Sequence, residues 1–168
     1  MILDNNLVFS NGQASNFTTS TPATTVIDLS GGTNFAFGNA SVFGEDLGIG
    51  DGVAIPRIEV FTGTAMTTAT SAKLNIQFQG STDSTNWTTY IETGVLPAAE
   101  VAKVNNPIAK MMWPHRQVAA ALPRYVRLNY DLSASTGTFS TGTISAYVML
   151  QRDDWPLGLY PSNFVVGA

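Results

Sequence analysis

A chain of 168 residues is long enough to bury its own core without disulfides or metal ions. Its charged content of 12% is about half the ~25% usual in soluble proteins, while Ser and Thr make up roughly a fifth of the residues. A net charge of −4 argues against a protein that coats nucleic acid, and the lack of Cys excludes disulfides, thiolate metal sites and Cys nucleophiles.

The 44% hydrophobic content is too high for a disordered chain. The solvent-facing positions are therefore largely Thr, Ser, Asn and Gly, and a surface so low in charge suits contact with other subunits. The charge is uneven. From Val101 to Arg152 the bases Lys103, Lys110, Arg116, Arg124, Arg127 and Arg152 meet Asp131 alone, whereas nine acids from Asp4 to Glu100 accompany Arg57 and Lys73. This asymmetry fits either a subunit oriented against a complementary neighbour or two differently charged faces in water.

At the N-terminus, "MILDNNLVFS" has no basic segment followed by an apolar one, so no secretory leader is expected. No apolar run approaches ~18 residues, so no membrane span is expected, and the expected setting is a reducing cytosol. The sequons at Asn16, Asn39 and Asn86 follow from the abundance of Thr and Ser.

Alternation with period two then predicts strands along the chain. Val26 to Leu29 is the first of these, and Arg57 to Phe61 the next, with Pro56 confined to a strand start or an edge. In "KLNIQFQ", Leu74, Ile76 and Phe78 face one way and Lys73, Asn75, Gln77 and Gln79 the other. The polar cluster "STDSTN" and the extended "WTTYIE" complete a hairpin signature. Leu96 to Leu122 reads as irregular, with one or two short strands and a turn or two of helix in "LPAAEVAKV". In "LPRYVRLNYDL", Val126, Leu128 and Tyr130 oppose Tyr125, Arg127 and Asn129. The turn-rich "SASTGTFSTG" predicts that this strand pairs with residues 143–151, where Ile144, Ala146, Val148 and Leu150 share a face. Short strands between Gly/Ser/Thr/Asn loops indicate an all-β fold, an antiparallel β-sandwich or jelly roll with long loops. The expected organisation is a single jelly-roll domain over 1–168, with a short N-terminal arm and an extended C-terminal tail.

The chain offers little catalytic chemistry. His115 is the sole histidine, which excludes a multi-His metal site. The adjacent acids Glu45/Asp46 and Asp153/Asp154 point to opposite faces if extended, and suit turns better than a glycosidase pair. "GIGDG" (48–52) lacks the spacing and lysine of a phosphate loop and reads as turn glycines. Trp87, Trp113, Trp155, Tyr90, Tyr125 and Tyr160 could form a sugar-stacking platform. The plainer reading puts Trp87 in the core and Trp113 and Trp155 in loops or interfaces. No enzyme, cofactor or metal is expected.

Taken in order, "MILDNNLVFS", "EDLGIGDGVAIPRIEV", "LNIQFQGSTDSTNWTT", "LPRYVRLNYDL", "GTFSTGTISAYVMLQRD" and "YPSNFVV" resemble the capsid cement (decoration) proteins of tailed bacteriophages. The resemblance is to the jelly-roll cement type of a short-tailed Bordetella phage, with Val95 to Ala121 the least similar region. It implies a non-enzymatic protein of the virion, assembled in the host cytoplasm onto the outer surface of the capsid. Its partners would be the major capsid protein and further copies of itself, as a dimer or trimer, without nucleic acid or membrane. The contact candidates are Met1, Ile2 and Leu3 in the arm, Trp113, His115 and Arg116 in the "WPHR" loop, Arg127 on a polar strand face, and Trp155, Tyr160 and Phe164 in the tail. A carbohydrate-binding jelly roll for host adhesion, resting on Trp113 and Trp155, is the alternative.

Overall fold

A computed structural model describes residues 7–29, 36–37, 40–41, 56–68, 72–104, 107–113, 123–132 and 134–150. In chain order they form β1 (Val8–Ala14), β2 (Thr21–Pro22), β3 (Ile27–Asp28), β4 (Ala36–Phe37), β5 (Ala40–Ser41), β6 (Pro56–Thr68), β7 (Lys73–Ser81), β8 (Thr88–Pro97), α1 (Ala98–Val101), β9 (Pro107–Met112), β10 (Tyr125–Asp131) and β11 (Phe139–Leu150). One sheet has the order β1-β11-β6-β9. The other runs β2-β10-β7-β8, with β3 also pairing with β10, and β4 and β5 make a separate ribbon. All these pairings are antiparallel.

The pairings nest. β7 pairs with β8, β6 with β9, β2 and β3 with β10, and β1 with β11. The chain is thus one long antiparallel hairpin whose tip is the polar turn between Ser81 and Thr88. Rolling it up sets β11 beside β6 and β10 beside β7, which completes the two sheets. This winding is the jelly roll.

The expected pairing of 125–131 with 143–151 is wrong. β10 lies between β7 and β2/β3, and β11 lies between β6 and β1, in the opposite sheet. Turn residues between two strands signal a change of direction, but this turn carries the chain across the sandwich. The β7–β8 hairpin does form, and the helical turn in "LPAAEVAKV" is α1. The irregular region also holds one strand, β9, and Pro56 opens β6 as its missing N–H requires.

Alternation fills the core. Ile58, Val60, Leu74, Ile76, Phe78, Val126, Leu128, Tyr130, Ile144, Ala146 and Val148 are all buried, from both sheets. Each large side chain removed from water contributes about 1.5–3 kcal/mol before entropy is counted. Phe78 is a focus: its ring meets Phe9 edge-on at 6.3 Å, Trp113 at 4.8 Å and Tyr90 at 6.4 Å. Trp113 is therefore a core residue, 6% exposed, and not a loop contact. Its N–H donates to the Pro56 carbonyl at 2.9 Å, one step beyond β9, which carries the indole inward.

Candidate interaction face

The outward side of the second sheet is polar and ordered. Residues 125, 127, 129 and 131 of β10 alternate outward opposite Ser81, Gln79, Gln77 and Asn75 of β7. Across the strands Asn129 Nδ2 donates to Gln77 Oε1 at 2.9 Å, and along β7 Gln79 Nε2 donates to the same oxygen at 3.2 Å. Gln77 Nε2 donates to Asp131 Oδ2 at 3.4 Å, and Ser20 Oγ donates to Asp131 Oδ1 at 2.6 Å. Toward β8, Gln79 Nε2 donates to Thr89 Oγ1 at 3.2 Å and Asn75 Nδ2 to Glu92 Oε2 at 2.8 Å. The amides shield one another so well that Asn75 and Gln79 are only 9% and 8% exposed. A polar layer with its partners in place favours one orientation for each amide.

At one end of this face stands Arg127. Its Nε donates to Gln79 Oε1 at 2.9 Å, and its guanidinium carbon lies 4.0 Å from the centre of the Trp87 ring. Burial pulls its proton affinity below the ordinary arginine value. Nearby, Arg124 grips Asp28 through Nε and Nη2, at 3.1 and 2.9 Å, and sits 4.8 Å above the Tyr125 ring. The hydrogen bond to Asp28 holds the Arg124 pKa above its usual value.

Trp87 is thus not the core residue it was expected to be. It is half-buried on the outer face beneath Arg127. The inward position at this end belongs to Tyr90, whose ring packs over Gly80 and against Phe78. A shift in register between Phe78/Ile91 and Gln79/Thr89 inserts that extra residue.

The outward side of the first sheet is different. Lys110, Glu59 and Tyr147 form a row across β9, β6 and β11. Arg57 Nη2 lies 2.8 Å from Glu59 Oε1, and Glu59 is nearly buried. Met112 of β9 is well exposed there. Among the described residues no three His, Cys, Asp or Glu side chains cluster to hold a metal ion.

Of the contact candidates, Arg127 lies on the polar face and Trp113 in the core. Met1, Ile2, Leu3, His115, Arg116, Trp155, Tyr160 and Phe164 lie outside the described residues, as do Glu45, Asp46, Asp51, Asp153 and Asp154. A sugar platform cannot use the buried Trp113, and one side of the Trp87 ring is covered by Arg127. The outward positions of Asn75, Gln77 and Gln79 on β7 and of Asn129 on β10 are legible in the sequence, whereas the hydrogen bonds that join them depend on strand pairing, which is not.

No curated protein matches the sequence. The family model Bbp16 matches residues 9–148, from the second residue of β1 to near the end of β11. That span takes in both sheets and the face described above. The chain therefore belongs to the Bbp16 family, a Bordetella phage-type protein family.

Proposed function

We propose that this protein is a capsid cement, or decoration, protein, bound to the outer surface of an icosahedral phage head and bridging neighbouring major capsid protein subunits. The supporting observation is membership of a phage-type family across almost all of the described jelly roll. The composition agrees, since a surface of hydroxyls and amides with 12% charged residues suits extended contact with other subunits. A packed genome pushes the shell outward, and clamps across capsomer seams oppose that push. Each clamp is modest, but an oligomer engaging several subunits gains through effective concentration. An acidic chain belongs outside the shell, away from the DNA. In this reading the protein acts as a dimer or trimer, needs no cofactor and catalyses nothing.

Mass spectrometry of purified virions should find the chain at a copy number matching the shell lattice. Heads stripped of it should open at a lower temperature or at lower chelator concentration, and adding it back should restore resistance. Stable, genome-filled heads recovered without any of this protein would sink the reading.

A further inference from the structure

On the polar face Arg127 is held in place and still has capacity for a partner. Arg127 is fixed at its base by Gln79 and along its plane by the Trp87 ring, so its guanidinium is already oriented. Its two terminal nitrogens have no partner among the described residues. The neighbouring ionic groups are occupied: Arg124 by Asp28, Asp131 by Ser20 and Gln77, and Glu92 by Asn75. A planar fork held in advance loses little freedom on binding, and it matches the two oxygens of a carboxylate.

Charge decides the kind of partner. Asp28, Asp131 and Glu92 lie on or beside this face, in a chain of net charge −4. A polyanion laid along the face would run past these carboxylates, whereas a single acidic side chain need meet only the fork. Trp, Tyr and Arg are also the residue types that dominate binding energy at protein interfaces, and Trp87, Tyr125, Arg124 and Arg127 share this corner. The geometry points to Arg127 as a docking group for an Asp or Glu side chain of the shell protein, an assignment that rests on the cement reading.

The test uses the full chain as wild type, Arg127→Lys and Arg127→Gln, each checked for an unchanged fold by circular dichroism and thermal melting. Binding is measured to purified heads lacking this protein, and separately to a single-stranded oligonucleotide. Arg127→Lys keeps the charge and loses the fork, so both variants should bind heads about tenfold or more weakly. Folded variants that bind heads as tightly as wild type overturn the docking role and leave the cement reading standing. Full affinity in Arg127→Lys alone overturns the fork. Oligonucleotide binding by the wild type that is lost in Arg127→Gln overturns the carboxylate in favour of phosphate. A wild-type protein that does not bind heads overturns the cement reading itself.

Discussion

The hydroxyl of Tyr130 lies 2.8 Å from Ser10 Oγ, joining the two sheets by a polar contact inside an apolar core. Both residues are fully buried. Ser10 Oγ donates to Gln13 Oε1 at 2.7 Å, so the tyrosine hydroxyl donates to Ser10. The two ends of this bond are not equivalent. Tyr130→Phe removes the donor and leaves Ser10 with Gln13, at a cost of about 1 kcal/mol. Ser10→Ala strands a buried hydroxyl and should cost more, about 1–3 kcal/mol. Urea denaturation of both variants checks the order; equal losses would show that the hydroxyl finds another partner.

The same tyrosine sets an alkaline limit. Burial raises its pKa far above the ordinary phenol value, a shift opposed only in part by Ser10. The unfolded chain sheds this proton near pH ~10 and the folded one holds it. The stabilisation is therefore complete below that pH and declines as pH rises above it. Melting temperatures of wild type should fall above pH ~10, and the fall should be shallower in Tyr130→Phe.

Asp83 sets the corresponding acid limit, at the tip of the long hairpin. Its carboxylate accepts the backbone N–H groups of Asn86 and Thr85, then the Asn86 amide and the Ser81 hydroxyl, which together depress its pKa strongly. A depressed carboxylate contributes stability that is present above its unfolded value, near pH ~4, and lost as pH falls below it. Asp83→Asn should flatten the loss of stability between pH ~4 and ~2 and lower stability at neutral pH. Equilibrium unfolding across that range would expose a wrong assignment as parallel curves.

Gly80 should not tolerate a side chain. A Cβ there would collide with the Tyr90 ring and stand 2.8 Å from Pro123. Gly80→Ala forces an aromatic ring to move within a packed layer, an effect of about 1–3 kcal/mol. Gly80→Ala combined with Tyr90→Leu should recover part of that loss, which chemical denaturation can measure.

Trp113→Ala separates a core role from a contact role. The indole fills space against Phe78, so its removal should destabilise the isolated protein by about 3–5 kcal/mol. A melting temperature equal to that of wild type would contradict the packing.

How far the sequence revealed this follows from what alternation encodes. Leu74, Ile76 and Phe78, and likewise Val126, Leu128 and Tyr130, showed their buried side because period two fixes which face each residue takes. Partner choice is a different matter, because hydrogen bonds between strands carry no side-chain signature. β10 and β11 were accordingly paired with each other when each belongs to a different sheet. The two tryptophans were exchanged for a related reason. Trp113 sits among prolines yet turns inward through one backbone bond, and Trp87 is displaced outward by the extra residue that seats Tyr90. Arg127 was legible as a residue of a polar face. Its hold on Trp87 and Gln79 was not, since those residues are 40 and 48 positions away in the chain.

The nested pairing also bears on the order in which contacts can form during synthesis. The ribosome delivers β7 and β8 together, so the tip can close while the rest of the chain is still being made. β1 precedes both, and its partner β11 emerges more than a hundred residues after it, where Ala14 meets Thr143. Contacts so distant in sequence slow folding and leave apolar surface exposed in the meantime. Phe9, buried in the finished core, must wait on the nascent chain for the last strand to arrive.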